Sequence, residues 1–421
     1  MNTATPGQPA TAPRLEPAAA LKLLTTTAGL LFTNGQTTER MEGAVRQLAT
    51  DLGFRVTIFP RWGEMTLRVE DAATSRSEII PVAPLGVEMH KVAATMAVVD
   101  QVHEGKLAVA DVQSSLEAVA RFPPVSVVRF GLLAGAGAAA LGVIFGDAHW
   151  LSLTLIFLSA SAGAFLRRWV AGRSHNLFAQ PFSAALLAGV IGAIAVRLQL
   201  SSVLMLVAVC PCMVLMPGPH ILNGMLDLAR GRIALGAARV AYAGLITLML
   251  CIGLILGLAL GGVSLPPSGP SESIPFVYDV LAAGVTVAAY GTFFSMPWRV
   301  LPIPIFIGML AHGCRWGALA LGASGEIGAL VACLVVGVII SPVSDRLRLP
   351  FAGLAFACVV SLIPGVFLFR MAGGMVELVA RGAQTPPELL AQTAADGATA
   401  LLIILAMSFG LLFPRLCIDW R

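Results

Sequence analysis

The chain has 421 residues, 57% of them hydrophobic and only 12% charged, with a formal net charge of +4 and a mean hydropathy of +0.85. Soluble domains carry about 25% charged residues, so this composition excludes a purely soluble globular protein. The small net charge, with no basic run, points away from nucleic acid.

Residues 1–17 are rich in Pro, Ala and Thr and read as a disordered tail. They lack the basic stretch and apolar core of a secretory signal. From Ala18 the pattern turns helical, with Leu21, Leu24, Ala28, Leu31 and Phe32 at helical spacing, and Asn34-Gly35 reads as the stop. Thr38 reads as the cap of a second helix running to about Leu52, with Met41, Val45, Leu48 and Leu52 on one face. Strand-like runs follow at 54–59, 65–70 and 78–81, then helices at about 85–104 and 109–121. Residues 18–124 are thus expected to form a small α+β soluble domain on the cytoplasmic side. It contains no phosphate-binding loop, nucleophile elbow or His/Cys metal cluster. Thr38, Arg40 and Glu42, with Glu39 beside Gly35, form either a polar site or a solvated helix face; His90 and His103 read as surface residues.

Beyond Phe122-Pro-Pro124 the chain is mostly apolar to residue 416. Crossing the hydrocarbon core takes roughly 20 apolar residues per helix. Ten segments approach that length: 125–146, 148–166, 179–198, 201–217, 238–262, 275–296, 300–316, 318–341, 350–369 and 395–415. Backbone groups in lipid must be paired internally, so these are helices. Arg167, Arg168, Arg173, Arg230, Arg232, Arg239, Arg299, Arg346 and Arg348 fall on one side of a ten-span count, which puts both termini in the cytoplasm. Arg197, Arg315, Arg370 and Arg381 depart from that bias. The seven cysteines lie almost entirely in apolar segments, which argues against a disulfide framework. Cys210-Pro-Cys212 has no third ligand nearby and reads as packing residues, so neither metal nor cofactor is expected.

Two stretches are nearly alike: Val214-Leu-Met-Pro-Gly218 and Ser361-Leu-Ile-Pro-Gly365. Matching Gly/Pro interruptions in two membrane halves are the sequence mark of broken helices at a transport site. Five spans per half is an odd number, so the halves, residues 125–262 and 275–416, are expected to enter the membrane in opposite senses. The fold expectation is therefore a mainly α membrane protein, with two inverted five-helix repeats and the soluble front domain.

Pro217, Gly218, Pro364 and Gly365 mark the breaks. After the first, His220, Asn223 and Asp227 share one helical face, and a helix starting there would aim free N–H groups at an anion such as a substrate carboxylate. The competing reading makes Asp227 and Arg230 a cap outside the bilayer. Arg370, five residues past the second break, meets either a carboxylate or the headgroups. Glu326 lies within the eighth segment and reads as a proton carrier, or else as an interfacial acid at a helix start. Asp279 and Asp396 lie near segment starts as weaker proton candidates. Thr286, Tyr290 and Thr292 are placed to line a path, while His312, near Arg315, reads as interfacial.

Several of these stretches resemble a known family. Gly35-Gln-Thr-Thr-Glu-Arg-Met-Glu42 with Leu52-Gly53, and Leu215 to Leu228 followed by Gly231 and Arg239, are similar to the threonine/serine exporter (ThrE) family. Ser295 to Pro302 and Leu362 to Arg370 resemble its second, smaller module. The resemblance covers nearly the whole chain in the family's order. It implies a non-enzymatic secondary exporter of threonine, serine or similar small carboxylate-bearing solutes, driven by protons and embedded in a bacterial-type inner membrane. A homo-oligomer is allowed. Split two-protein relatives imply succinate-like dicarboxylates as an alternative cargo. A hydrolase acting through the front domain is a further alternative.

Overall fold

The computed structural model describes residues 15–72, 74–147, 149–200, 204–265 and 274–419. Residues 1–14 of the expected tail, and the Pro266–Ser273 loop, lie outside them.

The N-terminal α+β unit, expected from the sequence to be the soluble unit, follows its hydrophobic periodicity. Helices α1 (Pro17–Thr33) and α2 (Thr38–Asp51) form a hairpin, followed by strands β1 (Arg55–Pro60), β2 (Gly63–Glu70) and β3 (Ser75–Val82), then α3 (Met89–His103) and α4 (Val109–Ala120). The strands form an antiparallel sheet in the order β1-β2-β3, with Ile58 opposite Leu67 and Met65 opposite Ile80. Met65, Leu67 and Val69 alternate inward along β2 and meet Leu24, Ala28 and Leu31 of α1 in one core. Thr37, not Thr38, caps α2 by accepting the Arg40 N–H, because Thr37 keeps an extended backbone while Thr38 is already the first helical residue. Gly35 turns the hairpin at φ +92, in the left-handed region, and a Cβ there would also stand 3.0 Å from the Val87 side chain. Helix α3 starts at Met89 rather than Leu85, because Pro84 and Gly86 hold the preceding stretch out of the helix.

The apolar portion contains α5 (Val127–Ile144), α6 (Trp150–Ala171), α7 (Ala179–Arg197), α8 (Leu204–Met213), α9 (Gly218–Ala229) and α10 (Ile233–Leu260). It continues with α11 (Phe276–Phe293), α12 (Pro302–Ala320), α13 (Gly325–Arg346), α14 (Phe351–Val359), α15 (Gly365–Arg381) and α16 (Pro387–Asp419). Among the described residues, eight of these helices are long and apolar enough to cross a membrane alone. Two bent pairs bring the number to ten: α8 with α9, bent by 51°, and α14 with α15, bent by 66°. A one-turn 3-10 segment, Val360–Leu362, lies inside the second bend.

The third and fifth helices of each half pack through small residues. A Cβ on Gly189 (α7) would stand 2.9 Å from the Gly257 Cα (α10), and one on Gly337 (α13) 2.6 Å from the Gly410 carbonyl (α16). Close backbone approach of this kind is how membrane helices gain packing without a hydrophobic driving force.

The soluble unit rests on the helix ends of one face. The Met89 N–H donates to the Phe294 carbonyl at the end of α11 (2.9 Å), and Arg348, after α13, pairs with Asp100 (2.9 Å). Asp345, at the end of α13, is shared by Arg40 of the soluble unit and Arg415 of α16. The span α8–α9 thus ends beside the soluble unit, where Arg230 meets Glu39. The span α14–α15 begins there, with Gly353 against Met89 and Val87.

Two boundaries differ from the sequence expectation in a way that matters. The seventh and eighth segments, expected at 300–316 and 318–341, are helices at 302–320 and 325–346. The turn between them falls at Leu321–Ser324, not at Gly317. Glu326 therefore sits half-buried in the first turn of α13, and His312 moves to the middle of α12, where it is 0% exposed rather than interfacial. Helix α16 starts at Pro387, so Asp396 lies inside it, not near its start.

Candidate functional site

The two breaks meet at the centre of the bundle. Proline has no N–H and cannot continue a hydrogen-bond ladder. Pro217 and Pro364 each stand immediately before a new helix, α9 and α15. A Cβ on Gly218 would run into the ring of Phe356 on α14, and one on Gly365 would stand 2.9 Å from Met213 at the end of α8. Each glycine is thus the socket for a side chain of the other broken span. The Met213 carbonyl, whose partner four residues on is Pro217 and has no N–H, accepts the Met216 N–H (3.2 Å) and the buried Tyr290 hydroxyl of α11 (2.7 Å).

The polar face of α9 is buried as its spacing implies, with His220, Asn223 and Asp227 at 8, 4 and 2% exposure, but it is turned to the soluble unit. The Asn223 amide donates to the Gly35 carbonyl (3.4 Å), and the His220 ring meets Tyr242 edge-on with centroids 5.1 Å apart. Asp227 lies 3.1 Å from the Nε of Arg239, itself 0% exposed, and Arg239 donates to the Thr38 hydroxyl (3.4 Å). The Asp227–Arg239 contact is close in distance yet poorly aligned as a hydrogen bond, so it acts chiefly as a charge pair. Around it, Glu39 pairs with Arg230 and Arg232, and Glu42 with Arg46 and Arg232. Thr38, Arg40 and Glu42 are therefore brought together with the membrane portion as a docking latch. Neither of the two sequence readings of Asp227 anticipates this partner.

At the second break a different constellation forms. Asp279, in the first turn of α11, lies 3.1 Å from the Nδ1 of His312, and the His312 Nε2 lies 2.5 Å from the Ser361 hydroxyl. Ser361 belongs to the 3-10 turn just before Pro364, and the three side chains are 5, 0 and 3% exposed. Both ring nitrogens are engaged, so the imidazole joins a buried carboxylate to the hydroxyl at the break. An ionised Asp279 only accepts, so the ring donates Nδ1–H to it and takes the Ser361 hydroxyl at Nε2, the nitrogen where a second ring proton would add. Arg315 stands within electrostatic reach of Asp279. Farther along, Arg370 pairs with Asp396 at 3.0 Å, and both line a small polar cavity with Glu377, Gln392 and Thr393. Glu326 lies in the first turn of α13, two residues past the Ser324 cap position, and is not brought to this cluster. His312 and Ser361 carried no sequence expectation of a site; Ser361 stood in the repeated motif and could have been marked from it.

Among the described residues, eight helices long and apolar enough to cross a membrane, two bent pairs that meet at their glycines and an α+β unit packed against the helix ends describe a polytopic membrane protein. Residues 22–261 match the family model ThrE, a threonine/serine exporter family, and residues 279–417 match ThrE_2, "Threonine/Serine exporter, ThrE". The chain belongs to the threonine/serine exporter family.

It is 27% identical over 286 residues to "Pheromone-regulated membrane protein 10" of Candida albicans (strain WO-1), covering 64% of this chain and 24% of that protein. The protein of the same name from Pichia sorbitophila is 24% identical, over 73% of this chain and 32% of its own length. The chain thus spans only a quarter to a third of these fungal relatives. "Probable succinate transporter subunit YjjP" of Klebsiella aerogenes is 25% identical over 184 residues, 42% of this chain and 69% of that subunit. No solved structure matches.

Proposed function

We propose that the protein is a secondary active exporter of threonine, serine or similar small carboxylate-bearing solutes, driven by a proton gradient across a bacterial-type inner membrane, with both termini cytoplasmic. The observation that carries this reading is the meeting of the two broken spans, with the Asp279–His312–Ser361 chain against the second break. Protonation of that chain changes the charge and hydrogen bonding of the Ser361 turn. It is thereby suited to bias the bend between α14 and α15. The proton site is assigned to Asp279 and His312 in preference to Glu326. An inverted pair of five-span halves is supported by three features. The break falls in the fourth span of each half. The third and fifth helices pack alike. One broken span ends at the soluble unit while the other begins there.

The Asp–His–Ser connectivity is also that of an acyl-transfer triad. Transport is favoured because the Ser361 hydroxyl is enclosed among core residues, where it reaches the imidazole and not solvent. Dicarboxylate export is the competing cargo, suggested by the printed name of the Klebsiella relative.

Purified protein in liposomes with an imposed pH gradient, offered labelled threonine, serine and succinate, tests the reading. Gradient-driven movement of threonine or serine is expected, with loss in His312→Gln and retention in Glu326→Gln. Movement of succinate alone transfers the assignment to dicarboxylates. Movement of none of them overturns it.

A further inference from the structure

A narrow cavity lies beside the first break, on the side toward the soluble unit. It is lined by Phe130, Ser159, Gly163, Pro211, Val214 and Phe293, among others. The Ser159 hydroxyl, 1% exposed, has no hydrogen-bond partner there among the described residues. Such a group costs roughly 1–3 kcal/mol when left unmade, so a ligand or water able to bond it has a place prepared. The outer wall is a pair of stacked rings, Phe130 from the first turn of α5 and Phe293 from the last turn of α11, with centroids 5.3 Å apart.

Three guanidinium groups stand over this wall. Arg168 lies 4.5 Å above Phe130 and Arg167 lies 4.9 Å above Phe293. Arg129 lies 3.5 Å over Trp298 and donates to the Thr292 hydroxyl at 3.1 Å. Arg232, Arg239, Arg370 and Arg415 each have a carboxylate partner, whereas the half-buried Arg315 on α12 forms no ion pair within 4 Å among the described residues. Among the described residues the three guanidinium groups over the wall have none either, and their only polar partners are neutral: Gln180 for Arg167, the Val125 carbonyl for Arg168 and Thr292 for Arg129. The Arg129 Nε is buried without any bond. An arginine fork matches a carboxylate with two parallel bonds, and here that partner is missing.

We propose that Phe130 and Phe293 form the cytoplasm-side gate of the solute path, and that Arg167, with Arg129 and Arg168, holds the carboxylate of a small organic acid or amino acid at that gate. This inference rests on the exporter reading and adds to it the side of entry and the group recognised. When the rings part, the waiting solute faces the Ser159 hydroxyl and the broken backbone at Val214. A lipid phosphate offers an anion of similar geometry, so the test separates the two sources.

The transport assay is run in vesicles of zwitterionic lipid only, with solute presented on the cytoplasmic side. Arg167→Gln is expected to raise KM at least tenfold with the maximal rate largely kept, and Arg167→Lys to recover part of that loss. On the unmodified protein, saturating threonine or succinate is expected to slow phenylglyoxal modification of Arg167, while threoninamide, which lacks the carboxylate, leaves it unchanged. The phenylglyoxal measurement needs no variant to fold. An unchanged KM in Arg167→Gln, or modification equally fast with and without solute, overturns the gate assignment while transport by the unmodified protein stands. Protection that appears only when anionic lipid is added assigns the arginines to headgroups and overturns it also. An unmodified protein that moves no carboxylate removes the exporter reading, and the gate with it.

Discussion

The two breaks share a backbone device and differ in what their polar groups do. At Pro217 the charges are spent between modules: Asp227 and Arg239 are locked beneath Thr38, and Glu39 and Glu42 hold the arginines that follow α9. At Pro364 the polar groups close among themselves, with His312 bridging Asp279 to the serine of the turn. A repeated Pro-Gly therefore fixes where two helices part, and leaves the chemistry at each parting to the side chains around it. One break is tied to the N-terminal unit, the other to a buried Asp–His–Ser chain.

That contrast is easiest to break at Asp227. Asp227→Asn leaves Arg239, 0% exposed, as an uncompensated buried charge, at a cost of about 3–5 kcal/mol. The melting midpoint in detergent should drop sharply, whereas Asp227→Asn combined with Arg239→Gln should lose clearly less, because the second change removes the orphaned charge. Equal losses in both would mean that the pair is no latch. Ser361→Ala at the other break should cost about 1–3 kcal/mol, the penalty for leaving the His312 ring nitrogen without its partner. It should also slow gradient-driven flux, with solute exchange at equal pH less affected. Exchange and driven flux falling together would place Ser361 in solute binding and not in the proton step. Glu39→Gln is the mild case. The Glu39 side chain is 46% exposed, so its pairs with Arg230 and Arg232 should contribute about 0.2–1 kcal/mol and fade as salt is raised. A large, salt-insensitive loss would show the latch extending to its rim.

Much of this architecture is legible in the chain. The α1–α2 hairpin is written in its 3.6-residue period and in Gly35, and the broken spans in the repeated Pro-Gly. The candidate site is less so, for two physical reasons. Hydropathy runs almost unbroken from Pro302 to Val343, and only the short Gly322-Ala-Ser-Gly325 run marks the turn. Placing that turn a few residues early made Glu326 an interior acid and His312 an edge residue. Moreover, a helix that is apolar all round carries no amphipathic signal to tell which face looks inward. Nothing in the sequence of α12 says that His312 faces Asp279. Likewise, the arginines of the positive-rich loops read alike as topology markers, and only packing separates Arg232 and Arg239, which have carboxylates, from Arg167 and Arg168; Arg129 carried no expectation.

The smallest effect concerns the seam between the modules. His90, in the first turn of α3, is stacked on Phe122 at 5.8 Å beside Glu88. Burial holds its pKa below the ordinary 6.5; Lys91 lowers it further, and Glu88 and the Ser295 backbone oppose the shift only in part. The unfolded chain therefore binds a proton at His90 in a range where the folded protein does not. Stability contributed by the neutral ring is full above pH 6.5, falls as pH drops below that value, and stops falling once the folded ring also protonates. Because α3 carries the Met89 contact to Phe294, acidification should loosen the soluble unit from the end of α11. The melting midpoint of the unmodified protein should decline between about pH 7 and pH 5 more steeply than that of His90→Phe, which keeps the stack and has no proton to take. Parallel declines would assign the acid sensitivity to other groups.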